Sequence, residues 1–100
     1  MDYNLLCGNN VELLRDMEEN SVDLVVTDPP YGMDIAGVGW DRNVPPSETW
    51  EEVLRVLKPG GWALSFCSPE LYHRMAVKME DGGFDIKDQV IWMITTKMAK

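Results

Sequence analysis

The sequence predicts an α/β fold in which helices connect the strands of a mostly parallel sheet. Short apolar runs alternate with segments of helical period, and glycines, prolines and polar residues separate them. The strongest run is residues 22–26, where valines and a leucine predict a parallel strand covered on both faces. The predicted order β-α-β-α-β-α-β indicates a Rossmann-like α/β unit with helical crossovers.

A strand and a helix are predicted before that run. Residues 3–7 are expected to form a short strand. Either Asn9 or Asn10 can cap a helix that begins at this point, and Asn9 and Glu12 have the spacing of a capping box. Apolar residues recur on one face of this helix (Val11, Leu14 and Met17).

The clearest helical pattern covers residues 49–57. Thr49 and Glu52 repeat the capping-box spacing, and apolar residues recur at i, i+3, i+4 and i+7. The Lys-Pro-Gly-Gly segment at residues 58–61 is expected to end this helix before the next strand.

The last part of the chain repeats the alternation of strand and helix. Residues 62–67 form another apolar run, and Ser68 is expected to cap the helix that follows. Met75 and Met79 belong to the predicted buried stripe of that helix. The apolar residues within 84–94 predict the final strand region.

Composition limits the chain to one small domain with a single core, because it has 100 residues. Its 17 acidic and 9 basic residues give a formal net charge of −8, opposite in sign to the basic surface that DNA binding needs. The amino terminus predicts neither a signal peptide nor a membrane span. Cys7 and Cys67 have no metal-ligand spacing and are expected to be buried free thiols in a reducing compartment.

Residues 28–31, Asp-Pro-Pro-Tyr, directly follow the strongest strand and form the candidate site. Each proline fixes its own backbone angle and holds the preceding residue extended, so Asp28 and Pro29 have little conformational freedom. The turn presents a carboxylate, carbonyl oxygens and the Tyr31 ring at the carboxyl end of a strand, where open parallel sheets bind ligands.

This combination of groups favours the amino edge of a nucleobase. A carboxylate and a carbonyl suit a group that donates two N–H hydrogen bonds, and the ring of Tyr31 suits a flat partner. The alternative is a strand end at which the Asp28 carboxylate is simply solvated.

Asp28-Pro29-Pro30-Tyr31 resembles the catalytic motif of the amino-methyltransferases that methylate adenine N6 or cytosine N4 in DNA. The similarity to β-type members of that family covers nearly the whole chain, with matching stretches at residues 5–9, 20–23, 40–41, 50, 55–61 and 90–92. Aspartate at the first motif position is similar to the adenine-N6 enzymes, because the cytosine-N4 enzymes more often carry serine.

The resemblance implies a Rossmann-like methyltransferase that uses S-adenosylmethionine. Asp28 and the Pro29 carbonyl would accept the amino hydrogens of a flipped adenine, Pro30 would complete the turn, and Tyr31 would stack on the base. Asn9 and Asp28 are the implied cofactor-binding residues. DNA is the implied partner, no membrane is involved, and the implied location is the cytoplasm of a bacterial or phage-infected cell.

Two departures from the family pattern bear on activity. β-type members place a glycine-rich cofactor motif and a target-recognition region after the matching segment, so residues 1–100 are expected to form a single, partial catalytic domain. The family's first strand commonly ends in Gly-Asp, whereas this chain has Gly8-Asn9 and loses that charge.

These departures give an alternative function. The chain is then a catalytically silent remnant, or a half that assembles with a complementary methyltransferase half or with another copy. Two family strands would lie between residues 3–7 and the Asp28 strand. Without them the chain must pair these strands directly, borrow strands from another molecule, or leave an open sheet edge.

Residues 32–46 form a long segment without clear periodicity. In the resembled family the equivalent region lies near the target base, so this segment is either a lid-like binding loop or a surface connection.

Overall fold

The computed structural model describes residues 2–30 and 44–95 of the chain. Within these ranges three helices and two strands alternate, which confirms the predicted α/β class with a partial, parallel Rossmann-like sheet. None of these helices is long and apolar enough to cross a membrane. The bounds are Asn10–Arg15 for α1, Val22–Thr27 for β1, Ser47–Val56 for α2, Leu57–Ser65 for β2 and Tyr72–Asp81 for α3.

Strands β1 and β2 form a two-stranded parallel sheet, and α2 lies between them in the sequence. The ladder is irregular between Val22 and Leu24, opposite the Lys-Pro-Gly-Gly segment at residues 58–61. This segment was predicted to end the helix, but α2 already ends at Val56 and the segment belongs to β2. The regular register pairs Leu24 with Trp62, Val25 with Ala63, Val26 with Leu64 and Thr27 with Ser65.

One side of the sheet packs against α2 and α3. Val25 and Ala63 contact the buried cluster from the sheet. Trp50 lies at its centre, and its ring meets Phe84 edge to face at a centroid distance of 6.4 Å. The burial of Met75 and Met79 confirms the stripe predicted for α3. The buried apolar residues are Trp50, Val53, Val56, Leu57, Met75 and Met79.

The other side of the sheet is apolar and exposed, and we call it the open face. It consists of Leu24, Val26, Trp62, Leu64 and Phe66, with exposed fractions of 51, 59, 57, 49 and 42%. The prediction that β1 is covered on both faces is therefore wrong for this structure. The described helices supply apolar side chains to one side of the sheet alone.

Residues 3–7 and 84–94 do not form strands, so those two predictions are wrong. Both segments expose large apolar side chains, among them Leu5 and Val90. A strand is stabilised by hydrogen bonds to a neighbour, and no described strand pairs with either outer edge of the β1–β2 sheet. Within the described residues, the segments at 3–7 and 22–27 do not pair directly, and both outer edges of the β1–β2 sheet are open.

Asn9 caps α1 as the sequence predicts. Its side-chain oxygen Oδ1 accepts hydrogen bonds from the backbone N–H groups of Val11, at 3.0 Å, and Glu12, at 3.3 Å. These bonds satisfy donors that the first turn of a helix leaves without intrahelical partners.

The caps predicted for the other two helices are wrong. Helix α2 begins earlier than predicted because Pro46 occupies the cap position, and its carbonyl accepts from the Thr49 N–H at 3.0 Å. Thr49 is consequently a buried residue of the first turn. Helix α3 begins later than predicted, since a turn closed by a bond from the Leu71 N–H to the Ser68 carbonyl at 3.2 Å precedes it.

Arg55 ties α2 to the segment that leads into β1. Its Nη2 donates to the backbone carbonyls of Leu14, at 2.7 Å, and Met17, at 3.0 Å. The backbone N–H groups of Asn20 and Ser21 donate in turn to the carbonyls of Arg55, at 3.0 Å, and Val56, at 2.8 Å. The end of α2 thus fixes where the chain enters β1.

Gly82 is a steric requirement of the core, so we expect Gly82→Ala to destabilise the protein. An added Cβ would lie 2.6 Å from the Cβ of Trp50 and 3.0 Å from the backbone nitrogen of Glu51. Overpacking of this kind typically costs about 1–3 kcal/mol, to be measured as the free energy of unfolding in urea.

Gly60→Asn is the control for this substitution. No atom lies within 4 Å of a Cβ added at Gly60, and its φ of +82° is in a region that asparagine tolerates better than most residues. Equal unfolding free energies for Gly82→Ala and the unsubstituted protein would contradict the steric account.

Candidate active site

Residues 28–30 begin where the β1–β2 ladder ends, and we call them the catalytic turn after the role that the sequence predicts for them. A backbone bond from the Phe66 N–H to the Thr27 carbonyl, at 3.0 Å, continues the pairing beyond Ser65. Asp28 follows immediately at the carboxyl end of β1. The sheet therefore holds the backbone up to the residue before the candidate carboxylate.

Two consecutive prolines fix the backbone of the catalytic turn. Asp28 is exposed, and Pro29 and Pro30 are half-buried. Since neither proline has an N–H, the turn presents carbonyl oxygens and the Asp28 carboxylate to a ligand. Position 28 also continues the two-residue period of positions 24 and 26, which belong to the open face.

Two further site residues were predicted, Tyr31 and Asn9. Tyr31 is outside the described residues, as is most of the segment at 32–46. Asn9 lies at the amino end of α1, and its Oδ1 is used in capping that helix. The carboxamide nitrogen is the part of this side chain that can donate to a ligand while the cap is in place.

Sequence reasoning missed an aromatic pair beside the catalytic turn. The rings of Phe66 and Trp92 meet edge to face, with centroids 5.8 Å apart. The backbone of Phe66 is already tied to Thr27, next to Asp28. Each of the two apolar runs, 62–67 and 90–94, contains one of these aromatic residues, but nothing in the sequence pairs them. An edge-to-face pair is a favoured aromatic geometry.

The carboxyl end of β2 also carries Cys67 and Ser68. Burial raises the pKa of the Cys67 thiol, and a hydrogen bond to the backbone of Ser68 partly opposes that shift. The Oγ of Ser68 is buried without a described partner. Cys67 is half-buried, but Cys7 is exposed, so the prediction of two buried thiols is wrong for Cys7.

The charges near the site belong to amino-acid side chains, and the described residues contain no metal-binding cluster. No group of three or more His, Cys, Asp or Glu residues within 2–30 and 44–95 could hold a metal ion. The whole chain carries a formal net charge of −8, so its average surface repels a polyanion.

The fold and the turn can now be compared with known proteins. A family model described as DNA methylase, for the N6 and N4 enzymes, matches residues 22–100. The match begins at the first residue of β1 and includes the catalytic turn. The chain belongs to the N6/N4 DNA methylase family.

A relative of this chain is the type II methyltransferase M.HpaI of Haemophilus parainfluenzae. The two are 32% identical over 108 residues, which cover 100% of this chain and 34% of M.HpaI. The chain thus spans about a third of the length of that relative. No solved structure matches it.

The two thiols should differ in reactivity. We expect iodoacetamide to alkylate Cys7 several-fold faster than Cys67 near neutral pH, because Cys7 is exposed while burial raises the pKa of Cys67 and lowers its thiolate fraction. Mass spectrometry of the peptides after timed quenching measures both rates.

Unfolding in urea is the control, since it removes the burial of Cys67 and should bring the two alkylation rates together. Equal rates in the folded protein would show that Cys67 is not protected.

Proposed function

We propose that this methylase chain provides the catalytic part of an S-adenosylmethionine-dependent enzyme that methylates the N6 amine of adenine in DNA. The observation that carries the proposal is the catalytic turn, which follows β1 directly at the carboxyl edge of a parallel pair. Residues 1–100 form a partial catalytic domain in this proposal.

Family membership supports methylation of an exocyclic amine in DNA, and the turn suits that substrate chemically. A carboxylate and a proline carbonyl can accept hydrogen bonds from the two amino hydrogens of a base. The turn needs only acceptors for this contact, so the missing N–H groups of its prolines do not prevent it. Adenine is favoured over cytosine because Asp28 occupies the first motif position, where the resembled cytosine-N4 enzymes more often carry serine.

Asp28 and Pro29 are the proposed catalytic acceptors, with Pro30 holding the turn. Hydrogen bonds from the amine to the Asp28 carboxylate and the Pro29 carbonyl would draw electron density onto nitrogen and orient its lone pair. The nitrogen would attack the methyl carbon that the cofactor supplies, so that the C–N bond forms as the carbon–sulfur bond breaks, without a covalent enzyme intermediate. Asp28 would accept the proton that the nitrogen loses. Tyr31 is the proposed stacking partner of the flipped base.

The described residues provide only part of a binding site for the cofactor. S-adenosylmethionine, when bound, supplies an electrophilic methyl group. Asn9 and Asp28 are the proposed contacts to it, but capping occupies the Asn9 oxygen and Asp28 also serves the base. These two side chains do not enclose an adenosine group. Other residues would therefore have to form the rest of the cofactor site.

A second candidate function follows from that partial match. The chain would be a half that needs a complementary methyltransferase part, or a silent remnant. The apolar open face favours the half over an enzyme that works alone.

Asp28→Ala should lower the methyl-transfer rate about 10²–10⁴-fold, the usual range for removing a positioned acid–base group. The assay is the transfer of tritiated methyl groups from S-adenosylmethionine to duplex DNA. It is run with the chain alone and with the chain co-expressed with the part of M.HpaI outside the aligned stretch.

Asp23→Asn is the matched control, because Asp23 is an exposed acid on the same strand and pairs with Lys58 at 2.8 Å, away from the catalytic turn. Its methyl-transfer rate should remain normal. Unchanged rates for Asp28→Ala, or equal loss in both variants, would refute the proposed role of Asp28.

Titration with S-adenosylmethionine separates an independent enzyme from a half. We expect the chain alone to bind the cofactor with a dissociation constant no tighter than about 1 mM in calorimetry, since Asn9 and Asp28 offer few contacts. Saturable micromolar binding would instead mean that this chain holds the cofactor by itself.

A further inference from the structure

The Arg55 side chain joins α2 to the carboxyl end of α1. Its Nη2 donates to the carbonyls of Leu14, at 2.7 Å, and Met17, at 3.0 Å, and its Nε pairs with Glu52 at 2.8 Å. Since α1 ends at Arg15, these carbonyls lie in and just beyond its last turn, where a helix lacks intrahelical partners and favours a cation. The guanidinium supplies donors to exactly that end of the helix.

Helix α1 is too short and too exposed to hold its own position. It has six residues, none of them buried, and an isolated helix of that length is not stable in water. Leu14 packs against the core cluster from a partly buried position. At 1.5 Å per residue the helix is about 9 Å long, so a rotation about the end that Arg55 holds displaces Asn9 at the other end.

The backbone at Arg55 also fixes the start of β1. The Asn20 N–H donates to the Arg55 carbonyl at 3.0 Å. The Ser21 N–H donates to the Val56 carbonyl at 2.8 Å. Asn20 has a left-handed φ of 55°, an uncommon conformation that defines this turn. Because alternate residues of a strand point to opposite faces, a slip of one residue here would move Asp28 to the other face of the sheet.

We infer that Arg55 is a positioning residue, which holds α1 and β1 in one arrangement and so sets the separation of Asn9 and Asp28. The inference rests on the proposed function, in which those two side chains contact the cofactor. Arg55 binds main-chain carbonyls and the Glu52 carboxylate, so it acts through the backbone and not by touching the base or the cofactor.

Amide hydrogen exchange of the full chain, measured by NMR, tests the inference. Arg55→Met keeps an unbranched apolar stem and removes every donor. It should raise the exchange rates of the Ser21 and Phe66 N–H groups about tenfold or more, because these groups report the two ends of β1. The resonance of the Val11 N–H, which donates to the Asn9 cap, should shift as α1 moves.

Met79→Ala is the matched control, because it weakens the core from α3 and removes no hydrogen bond of α1 or β1. The reference group is the Phe84 N–H, which donates to the Met79 carbonyl at 3.0 Å. A general loss of stability raises the Ser21, Phe66 and Phe84 rates by one common factor, and we expect this for Met79→Ala. The same uniform rise in Arg55→Met, or no rise at all, overturns the inference.

Arg55→Lys provides a second, conservative variant. Lysine keeps the positive charge and a donor for the α1 carbonyls, but it lacks the fork that also reaches Glu52. The Ser21 and Phe66 exchange rates should therefore lie between those of Arg55→Met and the unsubstituted chain. If Arg55→Met does not fold, unchanged rates in Arg55→Lys overturn the inference.

The methyl-transfer assay separates this inference from the proposed function. A displacement of about 1 Å at a distance from the chemistry can cost about 10²-fold in rate, so Arg55→Met should lower kcat about 10–100-fold. The KM for DNA should stay within about twofold, because Arg55 does not touch the substrate. A normal kcat despite faster exchange in β1 overturns the inference. If the unsubstituted chain methylates no DNA in either form of the assay, the proposed function fails, and the amide rates still decide whether Arg55 holds α1 and β1 in place.

Discussion

The parallel pairing of β1 with β2 is the constraint on which the rest of the structure depends. It turns one side of each strand toward Trp50 and the α3 methionines, and it leaves the open face on the other side. It also fixes the backbone to Thr27, so the stiff Asp-Pro-Pro sequence starts from a defined position. The register of the β1–β2 pairing thus determines both how the core packs and where the candidate carboxylate, Asp28, is placed.

Local sequence patterns predicted the parts of the fold that depend on neighbouring residues. The run at 22–26 is a strand, Asn9 caps α1, and Met75 and Met79 are buried, because propensity, capping and helical period act within a few residues. The motif beginning at Asp28 also lies where the pattern places it, directly after β1.

Patterns that depend on distant partners were less informative. Residues 3–7 and 90–94 have strand-like composition, but a strand needs a ladder, and composition does not say whether an edge is available. The continuous apolar run at 22–26 predicted cover on both faces of β1, but composition does not show what covers each face. The Phe66–Trp92 contact joins two runs that are separate in sequence, so no local signal pointed to that pair.

The register has a further consequence for how the protein folds. The paired residues of β1 and β2 are far apart in sequence, so the entropy of closing the intervening chain must be overcome before any ladder bond forms. Helix α2 can form from contacts within itself. Arg55 can then form hydrogen bonds with the end of α1 and with the residues that lead into β1. We therefore expect the catalytic turn to reach its native position late in folding, after α2 has formed and reduced the length of flexible chain between the two strands.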